Sequence, residues 1–186
     1  MKNKVLVSVI SVILILLVVI LYKINFNKNA IKPLIYDAQL PENVEFIDSI
    51  KSKNFYYKVD ILINKIKTKD SSNYTSLQYI VTIEPKNNQP YRDILVTVFI
   101  DKLIFDMMAV KSYPYFGNDI TDKQEINTNS KNNKGLIIGR TTWLYKDTYV
   151  EKIRNGFKKG VKIKVKWDNG FEYVLIPYKN IKIEVF

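Results

Sequence analysis

The sequence predicts a mostly β protein, in which a single N-terminal transmembrane helix is followed by one antiparallel β-sandwich domain with one short helix. Three observations lead to this prediction. Residues 5–22 form an apolar run, several later segments alternate apolar with polar residues, and turn-forming residues separate those segments. An immunoglobulin-like sandwich fits such a strand pattern, and a partly open barrel is the alternative.

The apolar run contains no charge, Pro or Gly and is interrupted only by Ser8 and Ser11. A helix of this length covers roughly 27 Å, close to the roughly 30 Å of a bilayer's hydrocarbon core. Because no small-residue cleavage site follows the run, we predict an uncleaved signal anchor; a helix buried in a soluble core is the alternative. The flanking lysines nearly balance, but the short basic leader indicates a cytoplasmic N-terminus and an external domain.

The chain divides into three parts: the anchor at residues 1–22, a juxtamembrane tether at 23–41, and one β-sandwich domain at 42–186. The tether is polar and contains Pro33 and Pro41, which favour an irregular segment. The segment at residues 40–51 fits a helix and a short strand about equally well, and the pattern leaves it open.

Alternating residues predict the strands of the domain in order. Residues 103–110 fit a strand or one helical turn, and Asp147 is a candidate N-cap for a short helix at 148–157 that ends at Gly156 or Gly160. Residues 111–134 are predicted to be the longest loop. The predicted strands lie at 55–64, 77–83, 94–100, 135–144, 161–167, 171–176 and 181–185.

The clearest local pattern is a hairpin near the C-terminus. Val161, Ile163 and Val165 alternate with lysines, and Asp168-Asn169-Gly170 follows. Asn-Gly favours a tight turn because both residues adopt positive φ readily, so we predict a hairpin with such a turn.

Cysteine and histidine are both absent. Their absence excludes disulfides, thiolate zinc sites, Cys nucleophiles and the Ser/His pair, so any enzyme of this sequence would depend on carboxylate, Lys, Tyr or Ser chemistry. No catalytic sequence motif is present, and we predict no catalytic residue, no metal and no cofactor.

The positive charge is local. Of the formal net charge of +11, five charges come from lysines in residues 1–32, and seven bases against Glu151 give residues 151–166 the other six. Such a patch is typical of surfaces that face anions. The alternative is that lysines on an open hairpin face maintain solubility, since no aromatic residue is interleaved on that strand face. The anion-binding candidates are Arg154, Lys158, Lys159, Lys162, Lys164 and Lys166.

Two further groups suggest sites less specifically. Tyr113, Tyr115 and Phe116 are candidates for a protein interface, with core packing as the favoured alternative. Three acids in the long loop have a spacing that weakly suggests a calcium site. Three other acids, around the third predicted strand, could include a pair of carboxylates that catalyses hydrolysis. These acids are Asp119, Asp122 and Glu125, and Asp93, Asp101 and Asp106.

Together these patterns predict a non-catalytic, single-pass membrane protein. Its external β-domain would act as a binding, accessory or protective module at a bacterial cell envelope. Its expected partners are the membrane, through residues 5–22, and another envelope protein or an anionic envelope polymer. A polyanion-binding surface at 151–166 is the first alternative function and a carboxylate hydrolase the second, while nucleic acid is a less favoured partner.

Overall fold

In a computed structural model the chain is described at residues 43–67, 73–111, 113–118, 122–129, 134–145 and 148–186. These residues form ten strands and two α-helices. In chain order they are β1 (Ile47–Asp48), β2 (Phe55–Lys67), β3 (Asn73–Pro85), β4 (Tyr91–Phe99), α1 (Lys102–Met107), β5 (Tyr115–Gly117), β6 (Gln124–Ile126), β7 (Leu136–Leu144), α2 (Val150–Phe157), β8 (Val161–Trp167), β9 (Gly170–Ile176) and β10 (Ile181–Val185).

The described strands make two sheets. The larger sheet has the order β1-β9-β8-β4-β5, and β6 also pairs with β4; the smaller sheet has the order β10-β2-β3-β7. The mostly β prediction is confirmed. The sheets are not wholly antiparallel, because β1 pairs with β9 in parallel and β10 pairs with β2 in parallel. Strands from the two ends of the domain thus extend sheets whose central pairs are antiparallel.

Alternation of side chains builds one core from both sheets. Val59 and Ile61 on β2 and Ile163 and Val165 on β8 are fully buried and belong to the same apolar cluster. Tyr79 on β3 contacts the other sheet across the core, because its ring centroid lies 5.3 Å from that of Phe116 on β5. Each sheet therefore buries one face against the other, and the centre of the larger sheet is also covered on its outer face, at Thr97 and Lys164.

The two helices pack against each other beside the core. Gly156 of α2 permits the contact, because a Cβ at this position would lie 2.4 Å from Cδ1 of Ile104 on α1. The open choice at residues 103–110 is thus resolved as a helix. The other open segment, residues 40–51, contributes the short strand β1 and then a 3₁₀ turn at Ser49–Lys51.

The predicted helix at 148–157 exists, but its boundaries differ from the prediction. It begins at Val150, and Tyr149 occupies the N-cap without a side-chain hydrogen bond, while Asp147 lies outside the described residues. Tyr149 is 76% exposed and so does not share the buried helix face. Gly156 lies inside the helix, and Gly160, with φ of +82°, follows its end.

The predicted β8–β9 hairpin is confirmed, whereas the predicted turn geometry is wrong. Trp167 pairs with Gly170, so the two turn residues are Asp168 and Asn169. Neither these residues nor Gly170 adopts positive φ. Gly170 has another role, because a Cβ there would lie 2.8 Å from Cζ2 of Trp167, whose indole lies against this glycine.

Residues 111–134 are not one continuous loop, because they contain β5 and β6 along the edge of β4. Between β5 and β6, the buried side chain of Asn118 continues the pairing with β4. Its amide donates to the carbonyl oxygen of Ile94 at 2.8 Å, and its oxygen accepts from the backbone N–H of Val96 at 2.7 Å. A side-chain amide that imitates a strand partner has no periodic signature, so the pattern did not predict it.

The described residues contain no helix that is long and apolar enough to cross a membrane. The predicted anchor at residues 5–22 and the tether at 23–41 lie outside the described residues.

Candidate functional site

The lysine row of β8 lies on the outer face of the larger sheet, as the alternation predicts. Lys162 is exposed and Lys166 is half-buried. Lys164 differs from the prediction because only 6% of it is exposed, although all three ammonium groups were expected on an open face. It lies between Thr97 on β4 and Tyr173 on β9, and its ammonium lies 5.4 Å from the Tyr173 ring centroid. Neighbouring strands therefore cover the central lysine.

Aromatic side chains from neighbouring strands lie on the same outer face. The Lys162 ammonium lies over the Phe46 ring, 4.9 Å from its centroid. The Tyr173 ring makes edge contacts with Phe46 at 5.6 Å and with Phe171 at 5.9 Å. We call the resulting surface the basic–aromatic face. Its members are Phe46, Lys162, Lys164, Lys166, Phe171 and Tyr173.

The sequence pattern predicted the lysines of this face but not its aromatic side chains. The lysine face of β8 itself carries no interleaved aromatic residue, whereas the rings come from β9 and from the segment before β1. The alternation of Phe171 and Tyr173 across the hairpin from Lys166 and Lys164 was the available signal, since hairpin register fixes which side chains are neighbours.

A cleft of about 310 Å³ opens at one end of this face. Lys162 belongs to both surfaces, and Lys159 joins it from the segment after α2. The structure adds Lys102, the first residue of α1, which the sequence pattern did not single out. We call this cavity the lysine cleft. Its lining residues are Phe99, Ile100, Asp101, Lys102, Lys159, Gly160 and Lys162.

Acidic groups beside the cleft modulate its charge. The Asp101 carboxylate caps α1 by accepting the backbone N–H of Leu103 at 2.8 Å. Lys102 donates to Asp106 at 2.6 Å, and this hydrogen bond holds the pKa of the Asp106 carboxyl below its usual range. Both partners of that ion pair are exposed, so an incoming anion can compete with Asp106 for Lys102.

The other predicted basic residues do not line the cleft. Arg154 on α2 forms an ion pair with Glu151 at 3.6 Å, and Lys158 is exposed at the C-cap of the same helix. Of the six predicted anion-binding residues, the structure brings only Lys159 and Lys162 into the described cleft.

The three aromatic interface candidates separate in the structure. Phe116 is only 6% exposed and packs against Tyr79, so its assignment to an interface is wrong and core packing explains it. Tyr113 is 40% exposed, and its ring stacks on Tyr115 with centroids 5.4 Å apart. Arg140 of β7 donates to the carbonyl oxygens of both tyrosines, at 3.1 and 3.0 Å, and this fixes the pair beside the open edges of the sheets.

Substitution of Phe116 by Ala should lower the free energy of unfolding by roughly 3 kcal/mol, because a buried ring leaves a cavity. Substitution of Tyr113 by Ala should cost less than about 1 kcal/mol, because only one face of an exposed stack is lost. Urea denaturation of the two variants measures the difference. Equal losses would contradict this division between core and surface.

A polar cluster joins the two sheets at one end of the core. Glu172 of β9 points inward and is only 8% exposed. Its carboxylate accepts hydrogen bonds from the hydroxyls of Ser52, at 2.8 Å, and Tyr57, and from the amide of Asn54 at 3.4 Å. Burial and then the neighbouring Glu172 charge raise the pKa of Tyr57 well above its usual range. Since every contact joins β9 to β2 or its preceding turn, this cluster acts as a structural tie.

The candidate carboxylates have local partners. Asp93 sits in the irregular part of β4 with φ of +54° and forms an ion pair with Lys123 at 3.5 Å. It lies eight residues from Asp101, roughly 26 Å along a strand. Asp122 accepts from Gln124 at 2.6 Å, Glu125 is exposed, and Asp119 lies outside the described residues. No group of three or more acidic side chains in the described ranges could hold a metal ion.

Comparison with protein-family models, with curated proteins and with solved structures gives no match. Function must therefore be argued from the basic–aromatic face, the lysine cleft and the predicted anchor.

Proposed function

We propose that this chain is a non-catalytic, single-pass membrane protein whose external β-domain binds an acidic component of the cell envelope. The predicted anchor at residues 5–22 holds the domain at the membrane with the N-terminus in the cytoplasm. The basic–aromatic face provides the binding surface, and the domain serves as a binding or accessory module rather than as an enzyme.

One observation carries this proposal: basic and aromatic side chains from separate strands converge on the outer face of one sheet. Side chains two residues apart on one face of a strand are separated by about 7 Å, and this repeat sets the distance between the charges of Lys162 and Lys166. Phe171 is 64% exposed, and exposed rings beside ammonium groups suit a partner that carries both negative charge and apolar or ring surface.

We also propose that the sandwich is immunoglobulin-like. Strands β3, β4, β7, β8 and β9 take the places of B, C, E, F and G, because β3 pairs with β7 and the order β9-β8-β4 matches G-F-C. The added parallel strands β1 and β10 distinguish this arrangement from the common form. The basic–aromatic face then lies on the outer side of the sheet that contains C, F and G.

Cross-linking in intact cells, followed by purification of the full chain, tests the function. We expect a reproducible envelope partner whose capture falls by about tenfold or more when Lys162 and Lys166 are both changed to Glu, because charge reversal repels an acidic partner. Changing Lys179 and Lys182 to Glu is the matched control, since both are exposed and lie on the segment that forms the edge of the smaller sheet.

Three results would overturn the proposal. Equal capture by the face variant and the control variant would show that the face is not used. Capture that is insensitive to salt would exclude a charge-based contact. Complete protection of the domain from protease added to cells with an accessible envelope would contradict its external location.

A further inference from the structure

We propose that the lysine cleft binds a terminal phosphate group, as found in a phosphomonoester. This inference rests on the proposed function, because it names the ligand chemistry of one end of the basic–aromatic face. It concerns a set of residues that no local sequence pattern connects, since Lys102 belongs to a different element from Lys159 and Lys162.

The charge of the cleft matches that of a phosphomonoester. Three ammonium groups and the Asp101 carboxylate line it, which gives a formal charge of +2. A phosphomonoester carries about −1.5 to −2 near pH 7 and presents three strong acceptor oxygens. A carboxylate or a phosphodiester carries only one negative charge, so each leaves part of the cleft's charge uncompensated.

The described contacts leave the lysines available to a ligand. Lys159 is exposed, and neither Lys159 nor the ammonium of Lys162 makes a hydrogen bond or ion pair within the described ranges; the Lys162 ammonium lies over the Phe46 ring. Lys102 is held by Asp106 alone, in an exposed pair that a dianion can displace. Asp101 is occupied by its helix-capping hydrogen bond and does not need a lysine partner.

The size and walls of the cleft suit a small organic phosphate. Its volume of about 310 Å³ lies at the lower end of the range for small-ligand pockets, roughly 300–1,000 Å³. Phe99 and Ile100 supply apolar wall for the carbon atoms of a glycerol or sugar, while Gly160 contributes only backbone. The ligand class is therefore a glycerol- or sugar-sized phosphomonoester.

Calorimetric titration of the full chain in phosphatidylcholine nanodiscs with glycerol 3-phosphate tests the proposal. We expect saturable binding to one site, weakened by about tenfold or more when either Lys159 or Lys162 is changed to Ala, because a charge-assisted contact is lost. The matched control is Lys158→Ala, an exposed lysine adjacent in sequence that does not line the cleft. Affinity for glycerol 3-phosphate should change by less than about twofold in this variant, since an exposed charge that makes no direct contact with the ligand is weakened by water and salt.

The variant Asp106→Asn provides a test with the opposite sign. It removes the carboxylate that holds Lys102, so glycerol 3-phosphate should bind about two- to fivefold more tightly. A gain of this size corresponds to the free energy of breaking an exposed ion pair. A merely structural role for the lysines does not predict a gain in affinity. Circular dichroism confirms that each variant is folded.

The pH dependence tests the identity of the ligand group. A phosphomonoester takes up a proton near pH 6, so its affinity should fall between about pH 7.5 and pH 5.5 as the phosphate loses one of its two negative charges. Sulfate stays a dianion in this range, and its affinity should stay constant. A parallel fall for both probes would place the titration in the protein and would overturn the assignment to phosphate.

The source of the phosphate is distinguished by adding phosphatidic acid to the nanodiscs. Competition with glycerol 3-phosphate assigns the cleft to a lipid head group, and the absence of competition assigns it to a soluble or polymer-borne phosphomonoester; both results support phosphate binding. No saturable binding, or equal binding by Lys159→Ala, overturns the inference. If partner capture through the face persists in that case, the cleft assignment fails and the proposed function stands.

Discussion

Raising the pH from 10 to 12 is expected to lower the free energy of unfolding by roughly 5 kcal/mol, because the hydroxyls of the partly buried Tyr57 and the buried Tyr79 lose their protons at lower pH in the unfolded chain than in the folded chain. Tyr79 is 1% exposed, and burial raises the pKa of its hydroxyl well above the usual range. The pKa of Tyr57 is raised by burial and by Glu172. Each tyrosine adds roughly 1.4 kcal/mol of loss per pH unit once the pH exceeds the unfolded pKa of about 10.

The sign follows from proton binding. Above pH 10 the unfolded chain holds fewer protons on these two groups than the folded chain, so stability decreases as the pH rises. Below pH 10 both states are protonated and the contribution is constant. Urea denaturation at a series of pH values measures the slope.

The double variant Tyr57→Phe, Tyr79→Phe is the control for other alkaline effects, including lysine deprotonation. Its stability should fall less steeply than that of the natural sequence, by roughly 2.7 kcal/mol per pH unit. Near neutral pH, Tyr79→Phe alone should leave stability unchanged or raise it by about 1 kcal/mol, because its buried hydroxyl makes no hydrogen bond with the described residues. Identical slopes for the natural and double-variant chains would contradict the prediction.

Substitution of Glu172 by Ala is expected to lower the free energy of unfolding by roughly 3 kcal/mol, because buried donors then lose their acceptor. The largest share comes from the hydroxyls of Ser52, which is 3% exposed, and Tyr57. The more distant amide of Asn54, at 3.4 Å, contributes less. A loss of this size lowers the melting temperature of a domain of this length by roughly 6–12 °C, which differential scanning calorimetry measures.

The matched control is Glu184→Ala. Glu184 accepts from Lys182 at 2.6 Å, but both side chains are exposed, so its removal should cost less than about 1 kcal/mol. A second variant, Glu172→Leu with Tyr57→Phe, replaces both partners by apolar groups and should recover part of the loss. Equal stability of Glu172→Ala and Glu184→Ala would show that the cluster does not tie the sheets together.

Local patterns in the sequence predicted most strands because each strand buries one face. The alternation at residues 55–64 matches part of β2, and that at 161–167 matches the whole of β8. The apolar run at 94–100 overlaps β4, whose residues 94–98 are buried on both faces of the sheet. The pattern failed where side chains replace regular pairing. The Asn118 side chain pairs with the β4 backbone at Ile94 and Val96, and the turn after Trp167 uses neither positive φ nor Asn169-Gly170 as its central pair.

The candidate site was predictable only in part. The charge count identified Lys159 and Lys162, because basic residues concentrate in one segment. It could not show that Thr97 and Tyr173 together cover Lys164, or that Lys102 reaches the same cleft, because Thr97 and Lys102 lie far from these lysines in the chain. Phe116 was predicted to belong to an interface because it lies in the same aromatic cluster of the sequence as Tyr113. Only its packing in the structure distinguishes it from Tyr113.

The sequence by itself determined that this is a strand-rich protein without Cys or His chemistry, with a local basic segment and a predicted N-terminal anchor, because composition and periodicity are local properties. The tertiary structure decided which charges are available and which rings accompany them. Sheet pairing places Phe46 beside Lys162 and buries Glu172 against Ser52 and Tyr57, since it joins residues that lie far apart in the chain.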